Sequence, residues 1–148
     1  MTQVISVSGV LVHAPLQTVF DYISDLTKHP EWSGGELKIE EASSGPVTVG
    51  KEYASKGEIP MQKDRPNQLQ VTEYEPPVKF GFTAQDANFG LVHHLFTFNE
   101  QDGGVQVQRA VTISLNPFMA FVFRFVIYPF IGKPMMDKAY TKLKMNLE

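Results

Sequence analysis

Residues 90–115 read GLVHHLFTFNEQDGGVQVQRAVTISL, two stretches of alternating apolar and polar residues on either side of Asp102-Gly103. Alternation is the mark of a strand with one buried face, and a two-residue Asp-Gly link is a strong hairpin signal. Closing the turn at that dipeptide sets Phe98 opposite Val107, Phe96 opposite Arg109 and His94 opposite Val111. Val92, Phe96 and Phe98 then share a face with Val105, Val107, Val111, Ile113 and Leu115, whereas a one-residue slip would set Phe96 against Gln108. Turn chemistry and hydrophobic pattern therefore agree on one register. That register also places Arg109 and His94 among the apolar side chains of the inward face, while His93 points the other way.

Working back towards the N-terminus, the chain alternates strand patterns with turn signals. Strands are expected at 37–43, 50–58, 68–75, 78–85, 90–99 and 105–115. They are separated by SSGP, the loop PMQKDRPN, Pro76-Pro77, DANFG and EQDGG. Six strands with short links point to an antiparallel meander. Asp86 follows Phe80, Phe82 and Ala84 at the same parity. Residues 3–13 alternate as a further strand, and a short helix follows. Pro15 suits its first position, and Leu16, Val19, Phe20 and Ile23 follow at helical spacing. Asp21 and Asp25 oppose that apolar face, as solvated surface charges. The helix gives way to TKHPEWSGG, where Pro30 disfavours helix at His29 and two glycines permit a turn.

Towards the C-terminus, residues 117–131 read PFMAFVFRFVIYPFI, with only Arg124 and Pro129 interrupting the apolar run after Pro117. A bilayer span needs about 20 apolar residues. This run is shorter, carries Arg124 at its centre and meets Pro129, so no transmembrane segment is expected. The helix should end near Gly132 and restart at Lys133-Pro134 as an amphipathic piece of about four turns. Met136, Ala139, Tyr140, Leu143 and Leu147 form one face, and Lys133, Lys138, Lys142 and Lys144 a solvated one. Strand, helix, six strands, helix is an α+β arrangement in which a curved sheet of about seven strands wraps round the C-terminal helix. Being apolar all round, the run 117–131 needs cover on a second side. A neighbouring subunit would supply it in a homo-oligomer; as a flap, the run would touch a membrane transiently. Arg124 is the marker: exposed at a rim it fits a flap, and paired with a carboxylate it fits a fixed core.

Composition narrows the function classes. The 148 residues, 43% hydrophobic and 20% charged, suit one globular domain spanning 1–148. A net charge of −3 argues against nucleic-acid binding. The absence of cysteine removes disulfides, thiolate metal sites and cysteine nucleophiles. It fits a reducing compartment, and with an N-terminus that alternates rather than leading as a signal peptide does, a cytoplasmic location is expected. The four histidines show no metal-ligand spacing. Phosphate-binding, dinucleotide-binding and nucleophile-elbow motifs are absent. Neither a metal nor a cofactor is expected.

The punctuation of the chain carries a resemblance. Ala14-Pro15 leads into Val19-Phe20-Asp21-Tyr22-Ile23, then Asp25-Leu26 and His29-Pro30-Glu31-Trp32. Val49-Gly50, Val71 to Pro77, Asp102-Gly103-Gly104-Val105 and the closing Leu143-Lys144 with Leu147-Glu148 follow in order. This series resembles the START-related SRPBCC superfamily of helix-grip proteins, in particular its bacterial polyketide cyclase/dehydrase-like and lipid-transport-like members, over nearly the whole chain. The resemblance implies the helix-grip fold and an apolar pocket.

The residues that break the apolar face are the most informative for chemistry. A buried arginine is costly unless paired, so Arg109 belongs to an internal ion pair, snorkels towards solvent, or binds a ligand's carboxylate, phosphate or enolate oxygen with His94 beside it as proton donor or acceptor. Trp32, Tyr53, Phe82, His94, Phe96, Arg109, Met119, Phe123, Met136 and Tyr140 are the candidates for lining a ligand site. The leading expectation is binding or transport of a hydrophobic small molecule (lipid, quinone or polyketide-like) between the sheet and the C-terminal helix. One alternative is a cyclase or dehydratase, with His94 or Tyr53 moving a proton and Arg109 stabilising an oxyanion. Another is an interaction module that docks through its apolar C-terminal region.

Overall fold

The structure, a computed structural model, describes residues 1–33, 37–57, 67–86 and 90–148. The glycine turn after Ser33, most of the PMQKDRPN loop, the centre of the DANFG turn and the side chain of Asp86 lie outside the described residues. Within them, the chain runs β1 (Thr2–Val12), α1 (Leu16–Ser24), a 3-10 segment (Leu26–Glu31), β2 (Leu37–Glu41), β3 (Glu52–Gly57), β4 (Asn67–Glu75), β5 (Lys79–Asp86), β6 (Gly90–Gln101) and β7 (Gly104–Leu115). A C-terminal helix, α2 (Pro117–Leu147), closes it.

The seven strands form one antiparallel sheet in the order β1-β7-β6-β5-β4-β3-β2, so the meander is flanked by β1 returning beside β7. The β6–β7 hairpin has the expected register, with Phe96 opposite Arg109 and His94 opposite Val111. Asp102 (φ 50°) and Gly103 (φ 76°) both take positive φ, the conformation that a tight two-residue turn demands. On the neighbouring side, Phe80 pairs with Phe96 and Phe82 with His94, which carries the inward face on to β5.

Two details of the helices differ from expectation. Pro15 is extended (φ −60°, ψ 144°) and caps α1, so the helix proper starts one residue later. Asp25 does more than sit in solvent: its carboxylate accepts from the Thr27 N–H at 3.1 Å and caps the 3-10 segment, which holds His29 and Trp32 against the sheet.

The larger correction concerns α2, which has no break at Gly132. It runs as α-helix over Pro117–Val122, as a wide π-helical stretch over Phe123–Gly132, and as α-helix again over Lys133–Leu147. A proline inside an α-helix clashes with the carbonyl four residues back and removes a donor. The wider turns accommodate Pro129 within a continuous helix. By length and composition alone this 31-residue helix could cross a membrane, so shortness is no argument against a span. Its packing is the relevant observation. Ala139, Tyr140 and Leu143 are buried in the main core with Phe20, Trp32, Phe96 and Phe98, and each such large side chain contributes roughly 1.5–3 kcal/mol. Further up, Ala120 and Phe123 lie in a second apolar cluster with Val4, Val92, Ile113 and Leu115. Both halves of α2 thereby touch the sheet, the upper one through Ala120 and Phe123. The remaining faces of its upper half are bare: Phe118, Phe121, Phe125, Val126, Phe130 and Ile131 are exposed. Arg124 is exposed as well, the position expected for a rim rather than a fixed core.

Candidate functional site

β5, β6 and β7 turn Phe82, His94, Phe96 and Arg109 to the same face, and α2 brings Met136 and Tyr140 over them. The ring of Phe82 stacks on His94 at 4.7 Å and 12°. The Arg109 guanidinium lies over Phe96, 5.0 Å from the ring centre. One of its terminal nitrogens donates to His94 Nδ1 at 2.9 Å, and the other contacts Met136 Sδ at 3.3 Å. Because an arginine can only donate, His94 Nδ1 must carry its lone pair here, and the ring proton sits on Nε2.

The 3-10 segment completes the group from the other side. His29 meets Trp32 edge-on at 4.5 Å and Phe82 at 6.5 Å, and Trp32 meets Phe96 at 6.3 Å. Tyr140 is hydrogen-bonded to Ser8 on β1. Seven of the ten sequence candidates, Trp32, Phe82, His94, Phe96, Arg109, Met136 and Tyr140, thus come together. Tyr53 shares the core but stands on β3, with Lys51 near its ring at 5.7 Å. Met119 and Phe123 fall in the second cluster, apart from Arg109.

Electrostatically the site is a buried cation among neutral partners. Arg109 is only 7% exposed, and among the described residues no carboxylate pairs with it. The internal ion pair, one of the expected roles, is therefore not found there. Burial lowers the Arg109 pKa from its usual value, and the nearby Tyr140 hydroxyl works in the opposite direction. Burial, reinforced by the Arg109 charge, pushes His29 down to about 3 and holds His94 well below the usual imidazole range. Both imidazoles are neutral near pH 7. Among the described residues, three buried ring or guanidine nitrogens have no hydrogen-bond partner: Arg109 Nε, Trp32 Nε1 and His29 Nδ1. Leaving a buried polar group unsatisfied costs about 1–3 kcal/mol, and three such groups fall within this one aromatic cluster.

Two members of this group escaped the sequence reading. Ser8 stands at the inward parity of β1 with Val4, Val10 and Val12, a polar break in an apolar face that could have been noticed. His29 lies in a stretch without periodicity, and its local sequence does not reveal that the 3-10 segment carries it inward. On the outer face, His93 Nε2 lies 3.0 Å from Glu73 instead of near His94. Among the described residues no cluster of three or more His, Asp and Glu could hold a metal ion.

Comparison with known proteins places the fold and site in context. Residues 3–148 match the family described as polyketide cyclase / dehydrase and lipid transport. The chain belongs to that family. Its members share the START-related helix-grip fold expected from the sequence, and hydrophobic-ligand binding or cyclisation is the activity at family level. Among curated proteins no sequence matches. Solved structures with the same fold include protein Ms6760 from Mycobacterium smegmatis (TM-score 0.71, 13% identity, covering 97% of this chain and 90% of that one). The KanY protein (ms6282) is similar at TM-score 0.68 and 21% identity, over 99% of both chains. The di-domain ARO/CYC BexL of the BE-7585A biosynthetic pathway matches at TM-score 0.72 and 11% identity, over 99% of this chain and 50% of that one. At these identities the likeness is one of fold.

Proposed function

We propose that the protein binds a hydrophobic small molecule, a lipid, quinone or polyketide-like compound, between the sheet and α2, with an oxygen-bearing end held by Arg109. The observation that carries this is the buried Arg109, whose partners among the described residues are the neutral His94 Nδ1, Met136 Sδ and the Tyr140 hydroxyl, and whose Nε is left unpartnered. A carboxylate, phenolate or enolate oxygen is the complement such a group lacks, and Trp32 Nε1 is a second donor nearby in the cluster. The apolar body of the ligand would rest on Phe82, Phe96 and Met136, gaining about 25 cal/mol per Å² removed from water.

A cyclase reading draws on the same arginine, which would stabilise a developing oxyanion. The proton-moving groups support it less. The His94 lone pair at Nδ1 is already engaged by Arg109 and its pKa is depressed. Tyr53, chiefly through burial, is pushed up to about 12, so its phenol stays protonated at neutral pH. Binding without turnover is accordingly the first reading.

Native mass spectrometry of protein purified without detergent, followed by solvent extraction, tests it. A hydrophobic, oxygen-bearing molecule recovered unchanged after prolonged incubation supports a carrier, whereas its conversion supports an enzyme. If there is no adduct, and neither oleate nor menadione raises the melting temperature, the reading fails.

A further inference from the structure

The two edges of the sheet are built differently. β2, at one end, has five residues and carries Lys38, Glu40 and Glu41. β1, at the other, has eleven residues, TQVISVSGVLV, without a single charge or proline. Charges, prolines and short length are how sheets keep a free edge from pairing with another chain. β2 has two of these safeguards and β1 has none of them.

Apolar surface flanks β1 on both sides of its edge. On the outer face, Ile5 and Val7 are 59% and 54% exposed. On the inner face, a cleft of about 690 Å³ runs between residues 2–7 and α2, lined by Phe121, Arg124, Phe125 and Tyr128 among others. Phe121 and Phe125 pack together at 4.9 Å, and both remain more than half exposed.

We propose that this edge is the interface of a homodimer, in which β1 pairs antiparallel with β1 of a second copy and joins the two sheets into one. The backbone decides between occupants. A row of N–H and C=O groups is satisfied by another strand, whereas a bilayer leaves it unpaired. The side chains favour a second copy. A twofold axis normal to the sheet through Ser6 keeps like faces together and sets Ile5 opposite the partner's Val7, with no charge in either strand to repel. The same axis brings Phe121 and Phe125 of both copies to one side of the seam. At about 150–250 Å² per aromatic side chain, the exposed parts of these two rings offer on the order of 200–300 Å² per chain. Ile5, Val7 and the strand edge add to this, against the roughly 800 Å² that a stable interface takes from each partner.

Sedimentation velocity over a range of micromolar concentrations tests the proposal, with the Ile5→Lys/Val7→Lys double variant as comparison. Both positions are exposed on the outer face, so an unchanged thermal melt is expected to accompany conversion from dimer to monomer. Should that variant fold poorly, Phe125→Gln probes the helical half of the same interface and should raise the dimer dissociation constant at least about tenfold. A wild-type monomer at every concentration overturns the proposal, as does a dimer unaffected by these changes. A monomer that instead co-sediments with anionic liposomes would assign the surface to a membrane and overturn it too.

Discussion

Arg109→Met removes the buried charge while keeping a long, flexible side chain over Phe96, and the structure sets the size of the result. Lost is a hydrogen bond from a charged donor to His94 Nδ1, which leaves that nitrogen unsatisfied at about 1–3 kcal/mol. Gained is relief from holding an ion out of water, which in real proteins amounts to several kcal/mol. With no carboxylate beside it among the described residues to be orphaned, the variant should fall within about 2 kcal/mol of wild type in either direction. For a chain of this length, that moves the melting temperature by no more than about 4–8 °C. Binding should respond differently. Truncating one member of a buried charged pair costs about 2–5 kcal/mol, so affinity for oleate should fall at least about 30-fold. Oleyl alcohol, which offers no anion, should lose only a few-fold. The assay is the fluorescence of Trp32, the chain's only tryptophan, 6.3 Å from Phe96, titrated with each probe alongside a urea melt. Destabilisation by 3–5 kcal/mol, the penalty for breaking a buried ion pair, would refute the reasoning. Equal losses for oleate and oleyl alcohol would refute the oxygen-anchoring role.

Three further outcomes follow from the same geometry. His29 has a folded pKa of about 3, below its unfolded value near 6.5, so the unfolded chain binds the proton first and stability falls as pH drops through that interval. Between pH 6.5 and 5 the loss from His29 alone is about 1.6 kcal/mol, His94 acts in the same direction, and His29→Gln should flatten that part of a stability–pH curve. Gly104→Ala would set a methyl 2.6 Å from the Val12 carbonyl oxygen, where β1 meets β7, and should cost about 1–3 kcal/mol in a urea melt. Leu143→Ala, at a fully buried position that ties α2 to the sheet, should cost about 2–5 kcal/mol by the same measurement.

The sheet was largely legible because period-two patterning and turn chemistry are local signals that reinforce one another. The Asp102-Gly103 turn set a register, and the register alone brought Arg109, Phe96 and His94 to one face. Helix α2 was less legible. Pro129, Gly132 and Pro134 read as punctuation, but a widening of the turns, which no local residue pattern announces, kept the helix whole. The same limit separated the lining candidates. Met119 and Phe123 carry the same apolar signal as Met136, and only the path of the helix assigns them to the second cluster. His29 was missed for a related reason: its inward position depends on the Asp25 cap and a single 3-10 turn, not on periodicity.

The central claim is that an oxygen-bearing hydrophobic ligand enters the interior beside Arg109, and the single indole N–H of Trp32, buried and unpartnered, reports on that directly. The measurement is a proton–nitrogen NMR titration of the isotopically labelled protein with oleate. The account predicts that the Trp32 indole resonance moves as ligand is added, and that in Arg109→Met the same movement needs at least about 30-fold more oleate. An indole resonance that never moves, while amides of residues 118–131 shift, would place the ligand on the surface of α2 and contradict it.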